Sequence, residues 1–365
     1  MAVLRWCLLL GSAVLAVAIL AAGLPSAPVA RPRQWRVFMT IGAARTGLAD
    51  VVATGGHDAW AAGTSASSTP VVYRWNGSSW RAIPRPGPSG SSAASVAASS
   101  AANVWVTIVG DAAVDRWNGH AWSRFSFGPA ARTEIDGVTT SGRKDAWVFA
   151  YNRATRKETA VHYNGTAWTP TPLTVTLGGG GTARLVSSSS RSNVWAWAYD
   201  PRHRRWVSLR FNGRAWRVIP LPATLLPARH TVVPEQMLAE SAASVWGTVY
   251  AGTTGSRGPV VLVHWNGRRW RRVTGRRPAG TLAGPVAADG HGGLWLCADR
   301  PGGAGYLLHY SAGTWTTAAV PARGGTAASV TGLTLIPGTR SLWATAVISA
   351  GSAGSRGAAI LRYSR

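Results

Sequence analysis

A short segment ending in tryptophan recurs seven times along the chain, as Asp58-Ala59-Trp60, Asn103-Val104-Trp105, Asp145-Ala146-Trp147, Asn193-Val194-Trp195, Ser244-Val245-Trp246, Gly293-Leu294-Trp295 and Ser341-Leu342-Trp343. Successive copies are 42 to 51 residues apart. A fixed period in this range marks an array whose units bury their apolar faces against one another. Each copy is followed by a second segment ending in an aromatic residue: Trp75, Trp117, Tyr163, Phe211, Trp265, Tyr310 and Tyr363. Five residues after each of the first six of these stands another tryptophan: Trp80, Trp122, Trp168, Trp216, Trp270 and Trp315.

The links between these last two segments are WNGSSW, WNGHAW, YNGTAW, FNGRAW, WNGRRW and the variant YSAGTW. Asn-Gly between aromatic segments predicts a tight hairpin, with positive φ at both central positions of a two-residue primed turn. A further short run precedes each small-apolar-Trp segment, such as Ala94 to Ser99 and Ile135 to Thr140. Four strands in each repeat of about 48 residues make a propeller blade. Tyr363 has no tryptophan five residues on, whereas Gln34-Trp35-Arg36-Val37-Phe38 resembles the outer strands at Trp80 and Trp216. The expected fold is therefore an all-β, seven-bladed β-propeller of four-stranded blades. A strand at about 33–41 closes the ring by pairing with one at about 358–365, which leaves no open radial seam.

Seventeen of the 20 tryptophans fall at repeat positions. Aromatics repeated in this way read as core between blades, each burying roughly 150 to 250 Å². Trp6 lies in the N-terminal segment, and Trp197 and Trp206 fit no repeat position.

The N-terminus runs from Trp6 to Leu24 without a charge and ends in Pro25-Ser26-Ala27-Pro28-Val29-Ala30. It reads as an apolar helix at 1–30 that is a secretory signal or an uncleaved membrane anchor, followed by one propeller domain at 31–365. Arg31, Arg33 and Arg36 beyond it outnumber Arg5, which favours cleavage. The expected location is extracellular, or cell-surface anchored with the propeller outside. Cys7 falls within this segment, so the body keeps only Cys297, which excludes an internal disulfide and cysteine metal clusters.

The hairpin ending in Gly-x-x-Trp resembles the Asp-box hairpin of bacterial propellers. The whole pattern over residues 33–365 resembles secreted propeller-repeat proteins of high-GC bacteria, with a looser similarity to kelch and galactose-oxidase-type propellers. It departs from the Asp-box because Trp75, Trp117, Tyr163, Phe211 and Trp265 stand where that motif has an acidic residue, and no kelch Gly-Gly pair repeats. The resemblance implies a fold and leaves activity open.

With 38 Lys+Arg against 13 Asp+Glu, the net charge is +25, and only Lys144 and Lys157 of the basic residues are lysine. The arginine excess reads as coding bias, but the field attracts phosphates, acidic polysaccharides and anionic lipid headgroups all the same. Immediately before each third-strand aromatic stands a basic residue: Arg74, Arg116, His162, Arg210, His264, His309 and Arg362. They are either a ring of anion or metal ligands or structural partners of polar residues such as Asp58, Asn103, Asp145 and Asn193. The second reading is favoured, because third strands lie far from the axis and equivalent residues cannot share a small ligand. No metal site and no cofactor are expected.

The acid pairs, Glu134 with Asp136, Glu235 with Glu240 and Asp111 with Asp115, single out no catalytic couple. Glu235, at the end of the loop from Leu221 to Pro234, is the one weak catalytic candidate. Long loops between second and third strands and between blades open on one face, opposite the Asn-Gly hairpins, and loops on a rigid scaffold carry binding residues. The candidate ligand-binding residues there are Arg153, Arg156, Lys157, Arg202, Arg204, Arg205, Trp206, Arg257, Arg276 and Arg277. The expected function is non-enzymatic binding of an anionic cell-envelope polymer or a protein partner at the cell surface. A hydrolase or lyase of acidic polysaccharide is the alternative, and it would show acids converging with arginine near the axis. Nucleic acid is disfavoured by export and the lack of a recognition motif. Membrane contact is expected only through the N-terminal segment, and the body is expected to be monomeric.

Overall fold

The computed structural model describes residues 32–42, 46–84, 92–173, 186–225, 231–253, 256–275, 281–299, 305–321, 327–350 and 355–365. The apolar segment at 1–30 lies outside them. The described residues form 28 strands in seven antiparallel sheets of four. Blade 1 comprises Gly47–Gly55, Asp58–Thr64, Pro70–Trp75 and Trp80–Ile83; blade 2 comprises Ala93–Ser100, Asn103–Ile108, Ala113–Trp117 and Trp122–Ser126. Blade 3 comprises Thr133–Gly142, Asp145–Asn152, Lys157–Tyr163 and Trp168–Thr171; blade 4 comprises Ser187–Ser190, Asn193–Asp200, Arg205–Phe211 and Trp216–Pro220. Blade 5 comprises Thr231–Ser241, Ser244–Thr253, Ser256–Trp265 and Trp270–Arg272; blade 6 comprises Thr281–Ala288, Leu294–Asp299, Gly305–Ser311 and Thr314–Ala319. Blade 7 takes Ala327–Leu335, Leu342–Ala350 and Ser355–Ser364, and its fourth strand is Gln34–Ile41.

That fourth strand pairs antiparallel with Ser355–Ser364, from Gln34 opposite Ser364 to Ile41 opposite Ala358. Trp35 stands opposite Tyr363, as Trp80 stands opposite Trp75 in blade 1. The second strands explain the small-apolar-Trp segment. They are covered on both faces by neighbouring blades, so Asn103–Ile108 is buried at every position and reads as a nearly continuous apolar run.

The tryptophans form the seams between blades. The second-strand indole of one blade packs edge-on against the fourth-strand indole of the next: Trp105 on Trp168 at 5.3 Å, Trp147 on Trp216 at 5.2 Å, Trp195 on Trp270 at 5.8 Å. Trp295 meets Trp35 at 5.6 Å, and Trp343 meets Trp80 at 5.3 Å. T-shaped contacts at this separation suit the ring quadrupole and add about 0.5–1.5 kcal/mol to simple burial. Trp197 uses the same seam. It lies parallel-tilted on Trp270 at 5.2 Å, donates Nε1–H to the Gln236 carbonyl at 3.0 Å, and fits because Gly247 carries no side chain. Cys297 is buried in the seam between blades 6 and 7.

The Asn-Gly links depart from the expected two-residue turn. In WNGSSW the last pair is Trp75 with Trp80, so the loop has four residues and only Gly77 has positive φ, at 98°. The asparagine closes it by its side chain: Asn76 Oδ1 accepts from Ser78 N at 3.0 Å and Ser79 N at 2.9 Å. Asn118, Asn164, Asn212 and Asn266 do the same, an Asx geometry that removes any need for positive φ at the asparagine. The two-residue turn occurs only in the variant link, where Ser311 pairs with Thr314 and Ala312 and Gly313 have φ of 48° and 81°.

Candidate functional site

The seven basic residues before the third-strand aromatics are structural. Each stands directly opposite the second-strand tryptophan of its own blade, from Trp60 with Arg74 to Trp343 with Arg362. The guanidinium of Arg74, Arg116, Arg210 and Arg362 lies over the indole at 4.9–5.3 Å, and the imidazoles of His162, His264 and His309 stack on it at 3.9–4.5 Å. In blades 1, 2 and 3 the polar residue opening the second strand then holds this side chain: Asp58 pairs with Arg74 at 3.1 Å, Asn103 with Arg116 at 3.0 Å and Asp145 with His162 at 2.8 Å. In blade 6, glycine opens the strand, and Asp289 takes over by pairing with His309 at 2.8 Å. That imidazole, with the His291 and Gly293 amides, holds the Asp289 carboxyl below the usual range against the opposing push of burial. These side chains are engaged one per seam, the arginines over an indole face and the histidines stacked on one. Among the described residues no group of three or more His, Cys, Asp or Glu is placed to hold a metal.

The candidate binding residues cluster in two hairpins of neighbouring blades. Asn152 pairs with Lys157 and Asp200 with Arg205, so residues 153–156 and 201–204 form equivalent four-residue loops between second and third strands. Each is fixed by its leading side chain: Asn152 Oδ1 accepts from Ala154 N and Thr155 N, and Asp200 Oδ1 accepts from Arg202 N and His203 N. Burial pushes the Asp200 carboxyl up, but the His203 imidazole at 2.6 Å and these amides bring it below its ordinary value. The last loop residue is in the left-handed region in both, Arg156 at φ 56° and Arg204 at φ 48°. Glycine sits there without strain, whereas any residue with a Cβ pays of order 1 kcal/mol, so the arginines are kept at a local cost.

Arg153, Arg156, Lys157, Arg202, Arg204 and Arg205 are all exposed. Arg153 reaches back to Glu134 at 3.1 Å, and at 46% exposure this ion pair contributes little. Trp206 pairs across the hairpin with Tyr199, ring centroids 5.5 Å apart, and is half-buried. Arg257 lies in the third strand of blade 5, and its side chain is outside the described residues, as are Arg276 and Arg277 entirely.

Glu235 is placed differently from the loop-end position expected of it. The first strand of blade 5 already begins at Thr231, and Glu235 is the extra residue of a β-bulge between Pro234 and Gln236. First strands line the propeller axis, and five more carry an irregularity partway along: at Ala49, Ala94, Asp136, Gly284-Pro285 and Thr331. A cavity of about 670 Å³ lies there, lined by Ala49, Asp50, Ser95, Glu235, Gly284 and Thr331 among others. Its lining includes Gly47 and Thr64, an opposed pair at the second-to-third-strand end of blade 1, so it opens on the same side as the basic hairpins.

Asp50 also ties blades 1 and 2 together, accepting from Val51 N at 2.8 Å and Val96 N at 3.0 Å. Burial pushes its carboxyl up to about 6 although both amide bonds pull the other way. Three further acids have structural partners: Glu240 accepts from Trp246 Nε1 at 2.8 Å, and Asp111 and Asp115 both bind Arg124. No arginine is among the described lining of the cavity.

No family model matches the chain, and no curated protein does. Among solved structures, YCF48 bound to D1 peptide is similar at 14% identity and TM-score 0.59, over 93% of this chain and 99% of that one. Virginiamycin B lyase from Staphylococcus aureus, inactive and with quinupristin, is similar at 12% identity and TM-score 0.61, over 90% and 99%. The GH74 xyloglucanase from Xanthomonas campestris is similar at 14% and TM-score 0.57, over 89% of this chain and 55% of that one. These likenesses establish the fold the chain shares with them: a seven-bladed β-propeller of four-stranded blades.

Proposed function

We propose that the protein is an exported binding propeller whose blade 3 and blade 4 hairpins engage an anionic polymer of the cell envelope. The observation that carries the reading is the repetition in neighbouring blades of one Asx-fixed hairpin with an arginine held in the left-handed region. Six exposed cations on one face, with Trp206 and Tyr199 beside them, give a polyanion several charge contacts and an aromatic edge. The Trp6–Leu24 segment supports export, and the propeller at 31–365 acts as one rigid domain, as a monomer with no cofactor.

A hydrolase or lyase of acidic polysaccharide is the alternative reading, with Glu235 in the axial cavity as its catalytic candidate. A protein or peptide ligand is the second form of the binding reading, consistent with YCF48 being bound to a peptide in its structure.

Retention of the mature chain on immobilised heparin across a salt gradient tests the proposal. Replacing Arg153, Arg156, Lys157, Arg202, Arg204 and Arg205 with Ala should bring elution to markedly lower salt, since each released counterion steepens the salt dependence. Co-elution with the native chain, both correctly folded, overturns the assignment.

A further inference from the structure

The seam between blades 6 and 7 carries smaller side chains at its outer edge than the seams after blades 1 and 4. There the third and fourth strands present paired arginines, Arg74 opposite Arg81 and Arg210 opposite Arg217, whereas blade 6 presents His309 opposite Thr316. The shorter pair leaves a cavity of about 350 Å³ between His309, Thr316 and Ala318 of blade 6 and Arg33, Trp35 and Tyr363 of blade 7. That volume lies within the range of small-molecule pockets.

Two buried donors on the blade 7 wall are unspent. Arg33 Nε is buried and has no hydrogen-bond partner. Arg210 Nε and Arg362 Nε share that condition, but their guanidinium groups lie over indoles at 5.3 and 4.9 Å. Trp35 is 8% exposed, and its Nε1–H is also unpartnered. In blades 2 and 5 the equivalent indole donates to the preceding blade, Trp122 to the Pro84 carbonyl at 3.1 Å and Trp270 to Ser208 Oγ at 2.9 Å. Leu307, which pairs with Ala318 as Ser208 pairs with Ile219, offers no such acceptor to Trp35. Trp80, Trp168 and Trp216 are unpartnered too, so an orphan indole alone marks nothing; Trp35 borders a cavity together with an orphan guanidinium. Buried donors left unpaired are costly, and an acceptor brought by a ligand recovers that cost.

The chemistry of the wall selects the acceptor. No Asp or Glu lines the cavity, and a guanidinium fork matches a carboxylate in geometry and charge. Burial pushes the Tyr363 phenol up, Arg33 pulls it down and Asp289 raises it further, so both charges act at this place. Asp289, bound to His309 at 2.8 Å, opposes a second negative charge, which favours a monoanion over a phosphate dianion. We infer that this cavity binds the carboxylate of a small organic acid, with Arg33, Trp35 Nε1 and Thr316 Oγ1 as its donors. Trp295 and Tyr363 supply an apolar wall for the carbon frame of the acid, which is either aromatic or a sugar acid. The site is separate from the basic hairpins of blades 3 and 4 and stands whether or not they bind a polyanion.

Calorimetric titration of the protein with benzoate, glucuronate, benzamide and inorganic phosphate tests it, in about 0.15 M salt, where exposed arginines are screened. At least one carboxylate should bind, with benzamide and phosphate at least tenfold weaker, and Arg33→Gln should weaken the carboxylate at least tenfold with the unfolding curve unchanged. Preference for benzoate identifies an aromatic acid, and preference for glucuronate identifies a sugar acid. The Trp35 indole N–H resonance should shift on saturation. Changing Arg202, Arg204 and Arg205 to Ala should leave carboxylate affinity as it was. Absence of carboxylate binding, equal binding of benzamide or phosphate, native affinity in folded Arg33→Gln, or an equal loss in the hairpin variant overturns the inference. If Arg33→Gln does not fold, an unmoved Trp35 indole resonance at saturating acid overturns it instead.

Discussion

Replacing Asp50 with Asn tests whether the axial carboxylate is held at a cost to the fold. Burial raises the Asp50 carboxyl from 3.8 to about 6. The folded state therefore binds the proton more tightly than the unfolded chain, and stability contributed by the protonated form is lost as pH rises from about 4 through about 6. At 1.36 kcal/mol per unit, the whole penalty reaches about 3 kcal/mol above pH 7, and about 2 kcal/mol of it develops between pH 4 and pH 7. Asp200 and Asp289, with lowered carboxyls, and His264, lowered mainly by burial despite Glu240, have the opposite sign and mask this slope in the native protein alone. The useful quantity is thus the difference between native and Asp50→Asn, measured by urea unfolding at a series of pH values. Asn keeps one of the two amide bonds and gives up the other, a pH-independent loss of about 1 kcal/mol. Against that offset, the native chain should lose about 2 kcal/mol relative to the variant between pH 4 and pH 7. A flat difference, or one of opposite sign, refutes the argument that the cavity holds a strained charge.

Other consequences follow from the seams and the hairpins. Trp35→Ala removes a nearly buried indole packed on Trp295 and Tyr363, and should lower stability by about 3–5 kcal/mol in denaturant titrations; a loss below 1 kcal/mol would mean the fourth strand of blade 7 contributes little. Gly247→Ala places a methyl group 2.6 Å from Trp197, whose ring is fixed by Trp270, and should cost about 1–3 kcal/mol, with part of that recovered when Trp197 is shortened to Ala. Arg156→Gly and Arg204→Gly relieve left-handed strain, so each should leave stability unchanged or raised by up to about 1 kcal/mol while lowering the salt needed for elution from heparin.

Period and alternation made the propeller readable because every blade must solve one packing problem. Seven second-strand tryptophans face seven fourth-strand positions, and the sequence displays both, including Trp35 far from the rest of its sheet. The residue before each third-strand aromatic was also legible as a structural partner, since strand pairing sets it opposite the indole. Where single residues depart from the repeat, spacing was silent. Trp197 fits only because blade 5 has Gly247 where blades 1 and 7 have Ala61 and Ala344, a complementarity between positions about 50 residues apart in the chain. The Asn-Gly links form longer loops than the two-residue turn their sequence predicts, because an Asx hydrogen bond replaces positive φ at asparagine. Glu235 reads from the sequence as a loop-end residue because it follows Leu221 to Pro234, a long stretch between blades. The bulge that sets it on the axis depends on pairing with Val249 and Thr248, which one strand cannot reveal. The signals that could have found the axial site were the acidic residues Asp50, Asp136 and Glu235 recurring near the middle of first strands.

The claim that one face of the ring is the working surface is tested most directly by hydrogen exchange of the protein with and without heparin. Residues 152–157 and 200–206 should gain protection on binding, and the Asn-Gly loops at 76–79, 118–121, 164–167, 212–215 and 266–269 should not. Protection confined to the Asn-Gly loops, or spread evenly over both faces, would contradict it.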